Sequence, residues 1–195
     1  MSVLSVGLST THSLAKSPTS YIYLLTNQGV QSDVHCSPTP SSNPRQCVPS
    51  RFVPNPPSFL NASHPIPSHL TNHSLPLSRV SLLDSSLLTT LSASTPLSPG
   101  SLGENITTSN LDLTSLPLHT LLHFGDHDGH AVVRITGTRE PRKRAAEWPT
   151  GLRERERGSR KQKVGVMGVV VRDGYVQPGD VVFVEKGKGG KLGSV

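Results

Sequence analysis

Residues 99–142 read PGSLGENITTSNLDLTSLPLHTLLHFGDHDGHAVVRITGTREPR and carry the strongest fold signal in the chain. The stretch contains a glycine loop around Gly103, two apolar segments at 118–124 and 131–136, and a polar loop after the second segment. Such segments, bounded by glycine and polar residues, predict two strands joined by a turn at 125–129. Polar loops at the rim of a β-scaffold often form binding sites, so we expect functional residues there.

The remainder of the ordered sequence predicts further short strands and little helix. Short runs rich in β-branched or apolar residues predict strands at the N-terminus, at 21–25, at 164–171 and at 181–184. Asp173-Gly174 predicts a two-residue hairpin, and Pro178-Gly179 predicts a turn. Many short strands with tight turns predict a mainly β fold, either a barrel or a sandwich.

One segment predicts an amphipathic helix. Ser81-x-x-Asp84 has the spacing of a helix start. Four leucines would then share one face of the helix, at positions 83, 87, 88 and 91. We therefore expect a short helix here that packs against the sheet and ends near residues 95–96, Thr-Pro.

The domain organisation follows from length and composition. A chain of 195 residues fits one domain, yet only 33% of its residues are hydrophobic, too few for a chain compact throughout. Residues 36–78 hold ten of the seventeen prolines, together with many serines, and predict a disordered or polyproline-like insertion. Residues 186–195 predict a flexible Gly/Lys tail. The expected domain therefore spans 1–185.

Charge and cysteine usage limit the function classes. A net charge of +6 favours anionic partners. Cys36 and Cys47 do not make a disulfide framework, which favours a reducing compartment. No apolar run approaches the roughly 20 residues of a membrane span, and the N-terminus lacks the pattern of a secretory signal. We expect an intracellular, cytoplasmic protein that makes no membrane contact.

The charge excess is concentrated in residues 139–163, which contain ten Lys or Arg and four Glu. The simpler interpretation is a solvated loop or helix with partly paired charges. The alternative is an interaction segment for nucleic acid, but Trp148 is its only aromatic residue, which limits base stacking.

The histidines at 119, 123, 127 and 130 resemble a metal cluster in spacing. On a strand, however, positions 119 and 123 share a face about 13 Å apart, too far for one ion. The 127–130 turn would have to fold back to complete a site, and we expect no metal there.

Several segments together resemble the MOSC domain, a family named for the C-terminal domain of molybdenum cofactor sulfurase. The central matches are LGENITT at 102–108, LDL at 111–113, and ITG at 135–137 followed by Arg139 and Pro141. The N-terminal strand with its Lys-containing turn, GVQSDVH at 29–35, a looser match at 79–88 and the strands within 164–184 extend the likeness along the chain. The resemblance implies a strand-rich, MOSC-like β-barrel with a few short helices.

The resemblance also implies a cofactor. MOSC-like proteins are expected to bind the molybdenum cofactor, an anionic pterin whose phosphate suits arginine and loop N–H groups. The candidate cofactor-binding residues in this chain are Asp33, His35, Gly103, Glu104, Asn105, Arg139 and, at the position where the family pattern has another residue, Arg142. Asn105 can equally serve to hold its own loop together, and Asp33 and His35 can equally form a structural turn. The family's pyridoxal-phosphate chemistry belongs to a separate domain, so that cofactor is not expected in this chain.

The sequence departs from the family at one chemically decisive position. Family members often carry a cysteine one residue after the proline of T-G-x-R-x-P-C, and it is proposed to hold sulfur as a persulfide or to contact molybdenum. Here the residue after Pro141 is Arg142, which cannot carry sulfur. Cys36 is a poor substitute, because it follows His35 in a segment where consecutive side chains are expected to point apart. We therefore assign no catalytic residue.

The residues and the resemblance together support two functions. The first is binding of molybdenum cofactor, linked to sulfuration of molybdenum enzymes or to reduction of N-hydroxylated compounds with a redox or molybdenum-enzyme partner protein. The second is a catalytically inactive interaction protein that uses the basic segment 139–163. The long prolyl insertion and the missing cysteine also fit an imperfect gene model, which sequencing of the transcript would test.

Overall fold

A computed structural model describes residues 1–36, 79–91, 97–126, 130–140 and 163–187. Eleven strands, one α-helix and one 3-10 turn are present in these ranges. The strands are β1 (Ser2–Leu8), β2 (Ser17–Thr19), β3 (Ile22–Leu25), β4 (Gly29–Val30), β5 (Val80–Asp84), β6 (Ile106–Ser109), β7 (Leu121–Phe124), β8 (Ala131–Thr138), β9 (Val166–Arg172), β10 (Gly174–Val176) and β11 (Val182–Glu185). The helix α1 spans Ser85–Leu91, and the 3-10 turn spans Leu113–Ser115.

The strands form two sheets. Eight strands make the large sheet in the order β11-β7-β8-β9-β5-β6-β1-β2, and three make the small sheet in the order β10-β3-β4. All pairs are antiparallel except β5 with β6, which are parallel. The expectation of a mainly β architecture is confirmed.

The large sheet curls without closing into a continuous barrel. An isolated antiparallel bridge joins Ser2 to Val181, and the Val182 N–H donates to the Met1 carbonyl at 3.1 Å. These bonds bring the start of β1 to the start of β11 at the opposite side of the sheet. The barrel-like shape is therefore completed by a few backbone bonds rather than by a full strand ladder.

One hydrophobic core joins the two sheets. Ile22, Leu24 and Val176 of the small sheet pack in the same buried cluster as Leu82 and Phe124 of the large sheet. Alternation of buried and half-buried residues along β3 follows from the period-2 geometry of a strand. A second, smaller cluster contains Leu83, Leu88, Leu91, Leu102 and Val164.

The segment predicted as a helix forms a strand in its first part and a helix only in its second. Val80–Asp84 forms the buried strand β5 between β6 and β9, and only Ser85–Leu91 is helical. Asp84 rather than Ser81 begins the helix, since its Oδ1 accepts from the Ser86 N–H at 3.0 Å. Val80–Leu82 pair with β9 and Leu82–Asp84 pair with β6, so neighbouring strands hold the segment extended and tertiary context overrides the local pattern.

The hairpin predicted at Asp173-Gly174 is wrong, because the two strands that flank this dipeptide, β9 and β10, do not pair with each other. β10 does not pair with β9 but crosses to the small sheet and pairs with β3. The Asp173 carboxylate accepts hydrogen bonds from the N–H and hydroxyl of Thr26, which follows β3. The Asp-Gly dipeptide therefore turns the chain from one sheet to the other. The 131–136 strand and the Pro178-Gly179 turn are confirmed. The strand predicted at 118–124 begins only at Leu121, because the preceding residues form a turn in which His119 has a positive φ of 65°.

Candidate functional site

The candidate site lies where the loop before β6 meets the turn after β1. Gly100 and Gly103 adopt positive φ values of 87° and 78°, which glycine tolerates at little cost. The Gly103 N–H donates to the Gly100 carbonyl at 2.9 Å, and the Lys16 N–H donates to the same carbonyl at 3.0 Å. A Cβ on Gly103 would collide with the Leu14 carbonyl oxygen. The glycines thus let two loops pack backbone to backbone.

Glu104 holds the glycine loop from within. Its Oε1 accepts from the Gly100 N–H at 2.6 Å and from the Thr107 hydroxyl at 3.1 Å, and its Oε2 accepts from the Leu102 N–H at 3.2 Å. Glu104 is 1% exposed, so these bonds replace the water that a carboxylate would otherwise require. Glu104 therefore stabilises the conformation of the loop backbone.

Asn105 links three segments. Its Nδ2 donates to the Gly7 carbonyl at 3.2 Å and to Asp33 Oδ2 at 3.1 Å. Its Oδ1 accepts from the Ser81 N–H at 3.2 Å. Both donor hydrogens of the Asn105 side-chain amide and its oxygen are therefore engaged inside the protein. Asn105 therefore positions β1, β5 and Asp33 relative to one another.

A buried ion pair lies beside this network. The Lys16 ammonium donates to Asp33 Oδ2, and the two side chains are only 5% and 2% exposed. Asp33 also accepts from the Ser9 N–H at 3.2 Å and from the His35 N–H at 3.0 Å. The carboxylate thereby ties the turn after β1 to the turn after β4.

The pKa of each partner is lowered, for different reasons. Burial alone would raise the pKa of Asp33, but the Lys16 charge and the hydrogen bonds from Lys16, His35 and Ser9 outweigh it. Burial lowers the pKa of Lys16, and the Arg139 guanidinium acts in the same direction against the opposing effect of Asp33. Lys16 and Arg139 are thus close enough to repel.

Arg139 extends from the end of β8 toward the glycine loop. Its N–H donates to the Gly165 carbonyl at 2.9 Å, and its carbonyl accepts from the Val164 N–H at 2.8 Å, so its backbone continues the β8–β9 pairing. A Cβ on Gly103 would lie 3.2 Å from Arg139 Nη2. The guanidinium therefore lies directly against the glycine loop, with its residue half-buried.

The structure brings together five of the seven predicted site residues. Gly103, Glu104, Asn105, Asp33 and Arg139 converge in one polar cluster, as described above. His35 lies on the same turn as Asp33, but its ring packs at 5.5 Å from the ring of His12. Arg142 lies outside the described residues, as does most of the basic segment 139–163.

Cys36 lies within the described part of the chain. Its N–H donates to the Asp33 carbonyl at 2.9 Å, so residues 33–36 form a turn. The extended backbone assumed from the sequence at this point is therefore wrong. The turn forms because Asp33 collects N–H groups from its own segment.

Lys16 and Ser81 also belong to the cluster, although neither was predicted as a site residue. Lys16 had a signal of its own, because it is the only lysine among residues 1–142. Ser81 donates its hydroxyl to the Gly103 carbonyl at 3.0 Å, but only the β5–β6 pairing brings residue 81 beside residue 103. A serine in a serine-rich chain carries no comparable signal.

Among the histidines, His123 and His130 meet while His119 does not join them. His123 Nδ1 and His130 Nε2 are 3.0 Å apart, and His123 Nε2 is 3.2 Å from Glu185 Oε2. His119 precedes β7 in a turn with φ 65°. Position 127 lies outside the described ranges. Within those ranges, no three His, Cys, Asp or Glu side chains are placed to hold a metal ion together.

No helix in the described parts of the chain is both long enough and apolar enough to cross a bilayer.

Comparison with solved structures shows the same fold in bacterial proteins. The chain superposes on the YuaD protein of Bacillus subtilis with a TM-score of 0.58 and 16% identity, covering 95% of this chain and 96% of that one. It superposes on YiiM of Geobacillus stearothermophilus with a TM-score of 0.56 and 14% identity, covering 97% and 77%. For YiiM of Escherichia coli the TM-score is 0.55 and the identity 13%, covering 98% and 73%.

Sequence comparison supplies the family. No curated protein matches the chain significantly. The model of the MOSC domain matches residues 69–183, more than half of the chain, and this range includes the glycine loop, β8 and Arg139. MOSC domains are associated with binding of the molybdenum cofactor. The resemblance read from the motifs is therefore confirmed, and the chain belongs to the MOSC domain family.

Proposed function

We propose that this protein binds an anionic pterin, the molybdenum cofactor, at the polar cluster around Arg139. The observation that carries the proposal is the guanidinium of Arg139 against the Gly103 loop, inside the range that matches the MOSC domain. Guanidinium groups recognise phosphate through paired, charge-assisted hydrogen bonds. The lack of a Cβ at Gly103 lets the Arg139 side chain approach the loop closely.

The described residues divide into two roles in this proposal. Arg139, half-buried at the end of β8, is the group that would contact the phosphate. Lys16 lies near Arg139, as its lowered pKa reflects in part, and the charge of Lys16 is balanced by its ion pair with Asp33. Asp33, Glu104 and Asn105 have their polar atoms engaged within the protein and act as supports for the loops. When bound, the cofactor would supply molybdenum-centred redox or sulfur chemistry.

The activity we propose excludes sulfur carriage at position 142, because an arginine occupies it. A role in maturation of molybdenum enzymes, or in reduction of N-hydroxylated compounds, would then depend on a partner protein. The partner would contribute the redox step or receive the cofactor. An Arg142→Cys variant tests whether the site otherwise suits sulfur transfer. Its thiolate should then accept sulfane sulfur from an added persulfide donor, whose own thiol is released.

The test is cofactor content after expression in a host that makes molybdopterin. Pterin is measured by fluorescence after oxidation, and molybdenum by mass spectrometry. We expect stoichiometric pterin in the wild type and at least a tenfold loss in Arg139→Ala, since a charge-assisted bond contributes about 1.5–3 kcal/mol.

Arg134→Ala is the matched control, because Arg134 is an exposed arginine on the same strand, β8. It removes the same charge and should retain pterin. Equal pterin in Arg139→Ala and the wild type would contradict the assigned site. Absence of pterin from the folded wild-type protein would contradict the proposed function itself.

A further inference from the structure

A second cluster of chemically active side chains lies far from Arg139. His123 is on β7, His130 immediately precedes β8, and Glu185 ends β11, so the three meet where these strands pair. β8 has eight residues and spans about 26 Å, with His130 before its start and Arg139 after its end. This histidine cluster (His123, His130, Glu185) is therefore separate from the site proposed for the pterin.

Glu185 determines which nitrogen of His123 carries the proton. An ionised carboxylate only accepts hydrogen bonds, so His123 Nε2, at 3.2 Å from Glu185 Oε2, bears the hydrogen. The lone pair of His123 is then on Nδ1, which faces His130 Nε2 at 3.0 Å. A carboxylate that fixes the tautomer of a histidine in this way is the usual companion of a metal-binding imidazole.

The separation of the two nitrogens suits a shared metal ion. For an ion about 2.05 Å from each nitrogen, the usual metal–imidazole distance, the N–metal–N angle would be about 94°. That angle matches the square-planar or tetragonal geometry of Cu²⁺ and Ni²⁺ rather than a tetrahedral one. For His130 to bind through Nε2 as a neutral imidazole, its proton moves from Nε2 to Nδ1, which leaves the Nε2 lone pair for the metal.

The surroundings leave room for the remaining ligands. Both histidines are half-buried and line an open pocket of about 380 Å³. Asp126 also lines the pocket and adds negative charge, while Phe183 forms an apolar wall. Two imidazoles from the protein and the rest from water would make an open coordination site.

We propose that His123 and His130 form a binding site for one divalent transition-metal ion of the Cu²⁺ or Ni²⁺ type, with Glu185 orienting His123. The inference does not depend on the proposed pterin binding. The alternative is that the histidines only hydrogen-bond β7 to the segment before β8.

The experiment titrates the full chain with CuCl₂ and follows electron paramagnetic resonance. A Cys36→Ser, Cys47→Ser background removes competing thiols. We expect the first equivalent of Cu²⁺ to show coupling to two nitrogens, and we expect His123→Ala and His130→Ala each to lose this species. Glu185→Gln should weaken Cu²⁺ binding about tenfold, as outer partners of metal ligands do. Circular dichroism checks that each variant is folded.

His12→Ala is the matched control, because His12 is an exposed histidine that also packs on another histidine ring. It should keep the two-nitrogen species. An unchanged spectrum and stoichiometry in His123→Ala and His130→Ala would overturn the proposal. If those variants are unfolded, the test is the broadening of amide NMR signals in the wild-type protein as Cu²⁺ is added. The amide signals of His123 and His130 should broaden first. Broadening that begins elsewhere would overturn the proposal.

Discussion

At the scale of single residues, the site depends on one buried ion pair. Lys16 and Asp33 are the only lysine and the only acidic residue in the first 83 positions, and they contact each other. A buried charge without its partner is costly, whereas the pair together adds little. The pair therefore specifies how the turns after β1 and β4 meet.

We predict that Asp33→Asn lowers the free energy of unfolding by about 3–5 kcal/mol, because it leaves the Lys16 ammonium buried without a countercharge. Urea denaturation measures the change. The Lys16→Met, Asp33→Asn double variant is the control and should recover part of the loss. A double variant as unstable as the sum of the two single variants would show that the pair is not coupled.

The pH dependence of stability follows from the lowered pKa of Asp33. Between the folded and unfolded pKa values the unfolded chain binds more protons, so the contribution is complete above the ordinary aspartate range near pH 4 and is lost as pH falls through the folded pKa. The stability difference between wild type and Asp33→Asn should be constant near neutral pH and shrink under acid conditions. A difference independent of pH would contradict the ionised state assigned to Asp33.

At the scale of elements, the glycine loop packs backbone to backbone against the turn after β1. Gly103 and Gly179 both have positive φ, 78° and 96°, but a Cβ meets backbone and Arg139 at the first and nothing within 4 Å at the second. Comparing these two glycines therefore separates the energetic cost of a positive φ from the cost of disturbing close packing.

We predict that Gly179→Ala destabilises the protein by about 1 kcal/mol, the usual cost of placing a side chain at positive φ. Gly103→Ala should cost more, because the loop must also move away from Leu14. It should also reduce pterin content, whereas Gly179→Ala should not. Thermal unfolding and the pterin assay measure the two effects, and equal behaviour of the variants would contradict the close packing of the two loops.

At the scale of the whole molecule, β5 is central because it pairs with β6 and β9 and contributes to both core clusters. Leu82 of β5 is fully buried, while Leu4 of β1 is 49% exposed. The two leucines therefore offer the same substitution inside and outside the core.

We predict that Leu82→Ala lowers the free energy of unfolding by about 2–5 kcal/mol, through lost burial and the cavity that remains. Leu4→Ala should change it by less than about 0.5 kcal/mol. Chemical denaturation followed by far-ultraviolet circular dichroism measures both. Similar losses in the two variants would contradict the burial of β5.

The sequence by itself determined the fold class, the glycine loop, most strands and the family, because these depend on local periodicity, on turn residues and on short motifs. Only the tertiary structure decided that Val80–Asp84 is a strand, since a leucine-rich segment suits helix and buried strand equally until its neighbours are known.

The same holds for the site. The motif identified Gly103, Asn105 and Arg139, but their roles depended on partners distant in sequence. Asn105 bonds to Gly7, Asp33 and Ser81, and Lys16 pairs with Asp33. The meeting of His123 with His130 and Glu185 likewise required the pairing of three strands. Hydrogen bonds and charge pairs act through space over a few ångströms, so the order of residues along the chain does not reveal them until the sheet brings the segments together.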